Sequence, residues 1–203
     1  MPSLPEIRRA FAAYQPELVS DSSNPQAAVA VVLRERNATT EVLFIERSQR
    51  DDDPWSGHMA FPGGHVEVSD ANPNQAAERE TEEEVGLSLE GAELIGRLDD
   101  QSGGPAASPL VISAFVYQVV ETPPLAPNYE VREAFWFPVP ALLERERRVE
   151  HPPEPVNGNR YPGILVGEPE RHVVWGVTLR FVEGFLRIAG RPLPERPWPK
   201  WTG

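Results

Sequence analysis

Residues 63–87 read GGHVEVSDANPNQAAERETEEEVGL, a sequence that predicts one well-bounded helix after a glycine turn. The helix is expected to run from about Pro73 to Val85. Asn72 has the side chain of a good N-cap, and Gln75 stands at the third helical position, where it completes a capping box. Gly86 suits the left-handed conformation that ends many helices. Local sequence alone therefore predicts both ends of this helix.

Three carboxylates share one side of the predicted helix, because successive residues are about 100° apart. They are Glu80, Glu83 and Glu84, and they lie beside a stripe that is expected to face the core. Arg79 lies one turn before Glu83, so we expect it to pair with that carboxylate. Glu78 is expected to point away from this side, into solvent.

The shared side of the helix indicates a metal site. Carboxylates this close repel one another by on the order of 1 kcal/mol per pair in water, and no lysine one turn away compensates for this repulsion. Mg²⁺ or Mn²⁺ among the oxygens would, since hard cations take carboxylate ligands. The alternative is a solvated acidic face, which is common. The preceding Gly63-Gly64 turn, the arginine and the terminating glycine favour the metal site.

This stretch resembles the signature of the Nudix hydrolase family, R-E-U-x-E-E-x-G-U, in which U is apolar. Residues 79–87 read RETEEEVGL, and Thr81 is the one softened position. The resemblance implies an α/β fold, a Nudix-type α/β/α sandwich with a mixed sheet. It also implies a metal-dependent pyrophosphohydrolase that cleaves the diphosphate of a nucleoside diphosphate linked to another moiety.

The resemblance also implies site residues. The metal ligands are expected to be Glu80, Glu83, Glu84 and the backbone carbonyl of Gly64. Glu80, Glu83 and Arg79 are expected to serve catalysis, and Arg47, Arg50, Gly63 and Gly64 to contact substrate. The general base is either Glu80 itself or a loop carboxylate, Glu130 or Glu133, of which we favour Glu133. Both loop residues also fit plain solvated acids.

Three features resemble the coenzyme A pyrophosphatase subgroup of that family. Asp70 stands nine residues before Arg79, whereas the common signature has Glu eight before it. The other two are the segments FPGG at 61–64 and WGVT at 175–178. The likeness covers roughly residues 27–190, and coenzyme A or an acyl-CoA is the best single substrate. ADP-ribose, a nucleotide sugar or a damaged nucleotide are the alternatives, and a non-catalytic sensor is disfavoured because the carboxylates are kept.

One departure from the subgroup concerns charge. The subgroup carries a basic residue in the loop before the glycine turn, where this chain has DDDPW at 51–55. A ligand with an additional 3′-phosphate needs positive charge nearby, and Arg47 and Arg50 supply some. Trp55, Tyr129 and Trp175 either stack on a base or pack in a core or interface.

Composition narrows the partners and the compartment. The net charge of −12 disfavours duplex nucleic acid, which binds basic surfaces. The absence of cysteine excludes disulfides and thiolate zinc sites. The longest apolar run is far too short to span a bilayer, and the N-terminus lacks the apolar core of a signal peptide. We therefore expect a cytoplasmic protein with a small-molecule nucleotide-diphosphate substrate and no membrane contact.

Three segments are predicted along the chain: an N-terminal helix and linker at 1–24, the Nudix hydrolase domain at 25–190, and a tail rich in proline and tryptophan at 191–203. Apolar residues of the first helix and the tail suggest a homodimer. Within the domain we predict a hairpin from 27 to 47, further strands at 92–98, 110–120 and 134–139, a helix at 141–148, a proline-rich excursion at 151–163, and a last helix at 177–188.

Overall fold

The structure, a computed structural model, describes residues 3–19, 24–50, 55–103, 110–156, 159–169 and 171–194. The aspartate run of residues 51–53 and most of the tail at 191–203 lie outside the described residues.

A long antiparallel hairpin forms the centre of the main sheet. Its strands are β1 (Gln26–Arg36) and β2 (Thr39–Arg47), which pair with Leu33 opposite Val42. The two residues between them have positive φ, as in the tight turns that match the twist of paired strands. β1 also pairs in parallel with β7 (Leu110–Gln118), and β2 pairs antiparallel with β8 (Val131–Pro138). The sheet is therefore mixed.

Shorter elements complete the architecture. The main sheet has eight strands, and the remaining ones are β3 (Met59–Ala60), β4 (Gly63–His65), β5 (Glu93–Arg97) and β6 (Gln101–Gly103). A second sheet contains β9 (Arg148–Val156), β10 (Asn159–Leu165) and β11 (Val173–Trp175). The helices are α1 (Leu4–Ala12), α2 (Pro73–Val85) and α3 (Gly176–Ile188).

The main sheet separates two apolar cores. Side chains of a strand alternate between its faces, so β1 sends Ala30 and Val32 toward α2 and sends Val31 and Leu33 toward α1 and α3. Both faces of the hairpin are buried, which explains its nearly continuous apolar sequence. The predicted α/β/α arrangement around a mixed sheet is confirmed.

Helix α1 packs on the body of the same chain. Leu4, Ile7 and Phe11 are buried in the core that α3 also covers, and Phe11 lies 6.0 Å from Phe185 between ring centroids. The apolar face that suggested a homodimer is therefore covered by the chain itself. None of the helices in the described ranges is long and apolar enough to cross a lipid bilayer.

One prediction for the C-terminal half was wrong. The helix expected at 141–148 is replaced by two short 3₁₀ helices, Val139–Leu143 and Arg145–Arg147, followed directly by β9. Pro140 stands in the first of them, and Glu144 between them has an extended backbone. The proline-rich excursion expected at 151–163 falls in the β9–β10 hairpin. β9 is an edge strand, where prolines are tolerated because no ladder partner is lost on the open side.

Candidate active site

Helix α2 has the bounds that its sequence predicts. The Asn72 side chain accepts a hydrogen bond from the Gln75 backbone N–H at 3.1 Å. The Gln75 side chain accepts a hydrogen bond from the Ala71 N–H at 2.6 Å. In a capping box it would accept from the N–H of the N-cap, Asn72. Gly86 ends the helix at φ +68°, and its N–H donates to the Glu82 carbonyl at 2.9 Å. Both ends of the helix are thus held by local hydrogen bonds.

The glycine turn brings backbone against the helix. β4 pairs with β1 so that Gly63 lies opposite Val29 and Gly64 opposite Ala28. A Cβ on Gly63, whose φ is +153°, would lie 2.2 Å from the Ala28 carbonyl oxygen. A Cβ on Gly64 would lie 2.3 Å from Oε1 of Glu80. Only glycine permits these approaches, and the second one places a peptide unit directly beside a helix carboxylate.

Glu84 is a buried carboxylate with little compensation. Its residue is 1% exposed, and its Oε2 accepts a hydrogen bond from the Gly63 N–H at 2.9 Å. Its Oε1 lies 4.0 Å from Nη1 of Arg47. Burial raises the pKa of Glu84 to about 8, against the opposing effects of the Gly63 N–H and Arg47. A buried carboxylate with so few compensating contacts is suited to bind a cation.

The other two helix carboxylates differ in exposure. The Glu80 side chain is 15% exposed, and burial raises its pKa although Arg79 opposes the shift. The Glu83 side chain is 55% exposed and accepts from Nη1 of Arg79 at 3.1 Å. Among the described residues, the three carboxylates do not gather within 4.8 Å of one another. Glu80 and Glu84 thus face the glycine turn, and Glu83 lies at the solvent-exposed edge of the site.

Arg79 holds several groups of the site together through hydrogen bonds. Its Nε and Nη2 donate to the two oxygens of Asp70 at 3.1 Å each, and Nη1 donates to Glu80 at 2.9 Å and to Glu83. Nη2 also donates to the His65 carbonyl at 3.1 Å. The hydrogen bonds from Arg79 are the main cause that lowers the pKa of Asp70. The expected pair with Glu83 is present, and the guanidinium is committed to orienting protein groups.

Glu78 does not simply face solvent, as the helix geometry had suggested. Its Oε1 lies 2.8 Å from the hydroxyl of the buried Tyr117 on β7, and the side-chain amide of Asn74 donates to the same oxygen at 2.9 Å. The Tyr117 hydroxyl also lies 2.5 Å from Oδ1 of Asn74. This contact fixes the rotation of α2 on the sheet and so the direction of its opposite side.

Arg47, Arg50 and Glu130 lie beside the helix carboxylates. The Ser48 N–H donates to the Glu130 carbonyl at 2.8 Å, which joins the end of β2 to the start of β8. Nη1 of Arg50 lies 3.6 Å from Oε1 of Glu130. Burial is the largest cause that raises the pKa of both Glu80 and Glu84, and the charge of Glu130 is a smaller one. Glu130 is therefore a loop carboxylate near the helix.

Glu133, the base that we favoured from the sequence, lies on the other face of the sheet. It stands opposite Glu46 in the β2–β8 ladder, on the side of the α1 and α3 core. Its carboxylate pairs with Arg171 and lies 3.5 Å from Nε2 of His172. The structure therefore brings Glu130, and not Glu133, to α2.

The group of Glu46, Glu133 and His172 has metal-like spacing, with one ligand atom of each within 4.8 Å of the others. Arg171 already occupies it, donating from Nε and Nη2 to Glu46 at 2.8–3.1 Å. Nδ1 of His172 accepts the Glu168 N–H at 3.0 Å, so the neutral ring carries its proton on Nε2 and has no lone pair there for a metal. We interpret the group as an ionic cluster. Sequence reasoning missed it, and a lone glutamate in the apolar run of β2 was its only signal.

The charges around α2 fit a divalent cation. Of the residues that the structure describes, five carboxylates and three guanidinium groups meet there, and these leave two negative charges in excess when all are ionised. They belong to Asp70, Glu80, Glu83, Glu84 and Glu130, and to Arg47, Arg50 and Arg79. An ion of charge +2 would balance this excess.

Comparison with known proteins identifies the arrangement. A family model described as the NUDIX domain matches residues 24–156, which include the glycine turn and all of α2. The chain belongs to the Nudix family. Nudix hydrolases cleave phosphoanhydride bonds and generally use divalent metal ions.

Relatives of this Nudix chain differ in how much of their length it spans. An uncharacterized protein from Schizosaccharomyces pombe is 40% identical over 129 residues, which are 61% of this chain and 38% of that protein. The chain thus spans less than half of that relative. An uncharacterized Nudix hydrolase, NudL, from Citrobacter koseri is 29% identical over 94% of this chain and 97% of its own length.

A solved structure supports the fold of this Nudix chain. The crystal structure of a MutT/nudix family protein from Enterococcus faecalis aligns with a TM-score of 0.56, at 19% identity, over 93% of this chain and 70% of that one. At this identity the likeness concerns the fold alone.

Proposed function

We propose that this Nudix hydrolase cleaves the diphosphate of coenzyme A or an acyl-CoA, with Mg²⁺ or Mn²⁺ as cofactor. The observation that carries the proposal is the pair of inward-facing carboxylates, Glu80 and Glu84, beside a glycine turn in a site with two excess negative charges. The segments FPGG and WGVT and the position of Asp70 favour coenzyme A among diphosphate compounds.

Glu80, Glu83, Glu84 and the Gly64 carbonyl are the proposed metal ligands. Glu84 fits this role because it is buried, and the partners described for it are the Gly63 N–H at 2.9 Å and Nη1 of Arg47 at 4.0 Å. Glu83 lies at the edge of the site, where Nη1 of Arg79 donates to its Oε2 at 3.1 Å. A divalent ion bound there supplies positive charge for the diphosphate and lowers the pKa of water.

The chain's own residues divide the remaining work. Arg79 positions Glu80 and Glu83, and Arg47 and Arg50 offer positive charge to the substrate phosphates. Glu130 accepts the proton of the attacking water. The oxygen of that water bonds to phosphorus as the anhydride P–O bond breaks. The products from coenzyme A are adenosine 3′,5′-bisphosphate and 4′-phosphopantetheine.

A substrate screen tests this proposal. The full chain is incubated with Mg²⁺ or Mn²⁺ and one of coenzyme A, acetyl-CoA, ADP-ribose, UDP-glucose or 8-oxo-dGTP, and the products are identified by mass. We expect the two phosphomonoesters above from coenzyme A, at the highest kcat/KM of the set. Preferred cleavage of another compound would overturn the substrate, and no cleavage of any of them by metal-loaded protein would overturn the activity.

Glu130→Gln is expected to lower kcat by on the order of 100-fold, because the amide cannot accept the proton of the attacking water. Glu133→Gln is the matched variant on the other face of the sheet, and we expect its kcat to stay within about threefold of wild type. Steady-state kinetics of both variants at saturating Mg²⁺ make the comparison. A larger loss in Glu133→Gln than in Glu130→Gln would reverse the assignment of the base.

A further inference from the structure

A cavity of about 470 Å³ lies beside the end of β2, next to the ionic cluster and outside the set of residues that surround α2. Six side chains that define its chemistry are Glu46, Gln49, His58, Arg132, Arg171 and Trp175. A volume of this size fits a mononucleotide-sized group.

The floor of the cavity is an ion pair that is already satisfied. Glu46 is 1% exposed, and burial is the largest effect on its pKa and raises it, but the hydrogen bonds and the charge of Arg171 together with the charge of Arg132 leave the pKa lowered. Arg171 also bonds Glu133 and Glu168, which commits its guanidinium to the protein. Three carboxylates share this one guanidinium, so the floor itself carries no excess positive charge for a ligand.

Arg132 is the cation that faces outward from this floor. In the β2–β8 ladder, Glu46 pairs with Glu133 and Arg47 pairs with Val131, so Arg132 is an extra residue that the ladder does not pair. Such a bulge redirects a side chain, and bulges are frequent next to functional sites. Here it lets Nη1 of Arg132 reach Glu46 at 3.3 Å while the side chain stays 50% exposed. Its remaining N–H groups suit an anion.

Aromatic rings form another part of the wall. The imidazole of His58 meets the Trp175 indole edge-on at 4.9 Å between centroids, and His151 lies 5.0 Å from the same indole. Burial lowers the pKa of His151, so at neutral pH its ring is an uncharged surface. Rings fixed in this way suit a planar ligand such as a nucleobase.

A five-residue segment connects the cavity to the helix carboxylates. Glu46 and Gln49 line the cavity, whereas Arg47 approaches Glu84 and Arg50 approaches Glu130. The two sites therefore lie on opposite sides of one strand end. A substrate whose diphosphate lies at α2 can extend around that end into the cavity.

We propose that this cavity binds the phosphorylated nucleoside half of the substrate, with the base against Trp175 and the 3′-phosphate at Arg132. The inference deepens the proposed function and rests on it for the choice of coenzyme A. The coenzyme A pyrophosphatase subgroup has a basic residue where this chain has DDDPW at 51–55. In this proposal Arg132 supplies the positive charge instead.

Direct binding tests the subsite without hydrolysis. The full chain, free of metal, is titrated calorimetrically with adenosine 3′,5′-bisphosphate and with adenosine 5′-monophosphate. We expect Arg132→Gln to weaken binding of the bisphosphate at least tenfold and of the monophosphate less than twofold. Arg145→Gln removes the same charge from an exposed residue outside the cavity and should change neither. Equal weakening of both nucleotides, or no binding by wild-type protein, overturns the proposal.

A second variant covers the ring contact. Trp175→Leu should weaken binding of both nucleotides by a similar factor, at least fivefold, because the base is common to them, and unchanged affinity overturns the ring assignment. Thermal unfolding of each variant shows whether the fold is retained, and Arg132→Lys, which keeps the charge beside Glu46, serves if Arg132→Gln unfolds. The proposed hydrolysis can fail in the substrate screen while this binding holds, and the reverse, so the two failures are distinguishable.

Discussion

Glu84→Gln is expected to lower turnover by roughly 100-fold or more and, at the same time, to stabilise the metal-free protein. The loss of turnover follows from removal of a proposed metal ligand. The gain in stability follows from burial, because Glu84 titrates at about 8 in the folded protein, against an ordinary value of 4.5. The wild-type protein must therefore bury a charge, or hold a proton, that the amide does not need.

The raised pKa of Glu84 fixes how the stability of the metal-free protein changes with pH. Because the folded pKa lies above the unfolded one, the contribution of the protonated Glu84 to stability is complete below about pH 4.5 and is lost as the pH rises to about 8. The stability difference between Glu84→Gln and wild type should grow over this window to on the order of a few kcal/mol.

Urea unfolding in EDTA from pH 5 to 9 measures this difference, and Glu82→Gln, an exposed change on the same helix, is the control. Adding Mg²⁺ should raise the midpoint of wild type and leave Glu84→Gln nearly unchanged. Wild-type turnover in Glu84→Gln would refute the metal assignment. A variant less stable than wild type at pH 8 would refute the cost of burial.

Arg79→Lys is expected to lower turnover by about 10- to 100-fold, although it keeps the positive charge. A single ammonium cannot reproduce the two parallel bonds to Asp70 and also reach Glu80 and the His65 carbonyl. The Asp70 side chain is only 3% exposed, so its weakened pairing should also lower the free energy of unfolding.

Kinetics over a range of Mg²⁺ concentrations distinguish positioning from a general loss of fold. Since Arg79 orients Glu80 and Glu83, the Mg²⁺ concentration for half-maximal rate should rise in Arg79→Lys at a temperature well below its unfolding midpoint. Arg145→Lys, at an exposed position, controls for the substitution itself. An unchanged Mg²⁺ dependence together with unchanged turnover would show that Arg79 has no such role.

Local signals predicted α2 well. Asn72 and Gly86 act within one turn of themselves, so the bounds of the helix could be derived from neighbouring residues. The hairpin of β1 and β2 followed from its apolar runs in the same way. The pairing of Arg79 with Glu83 could be derived as well, because it spans a single turn.

Contacts between distant segments were beyond such reasoning. Glu133 faces the same side as Glu46 because the two pair in the β2–β8 ladder, whereas Glu130 lies just before β8, where its carbonyl accepts the Ser48 N–H. Arg171 reaches Glu46 across 125 residues, which no local pattern predicts. The wrong helix at 141–148 has the same origin, since the first 3₁₀ helix packs Leu142 into a core formed by other segments.

The parallel pairing of β1 with β7 sets the order in which the molecule can be assembled during synthesis. α2 lies between these strands in the chain and packs on the layer they share. A nascent chain that has emerged only as far as Gly86 carries every proposed metal ligand but lacks Tyr117, which anchors the helix. The site gains its support only after about 30 further residues leave the ribosome, so its geometry forms late and depends on contacts between residues far apart in the chain.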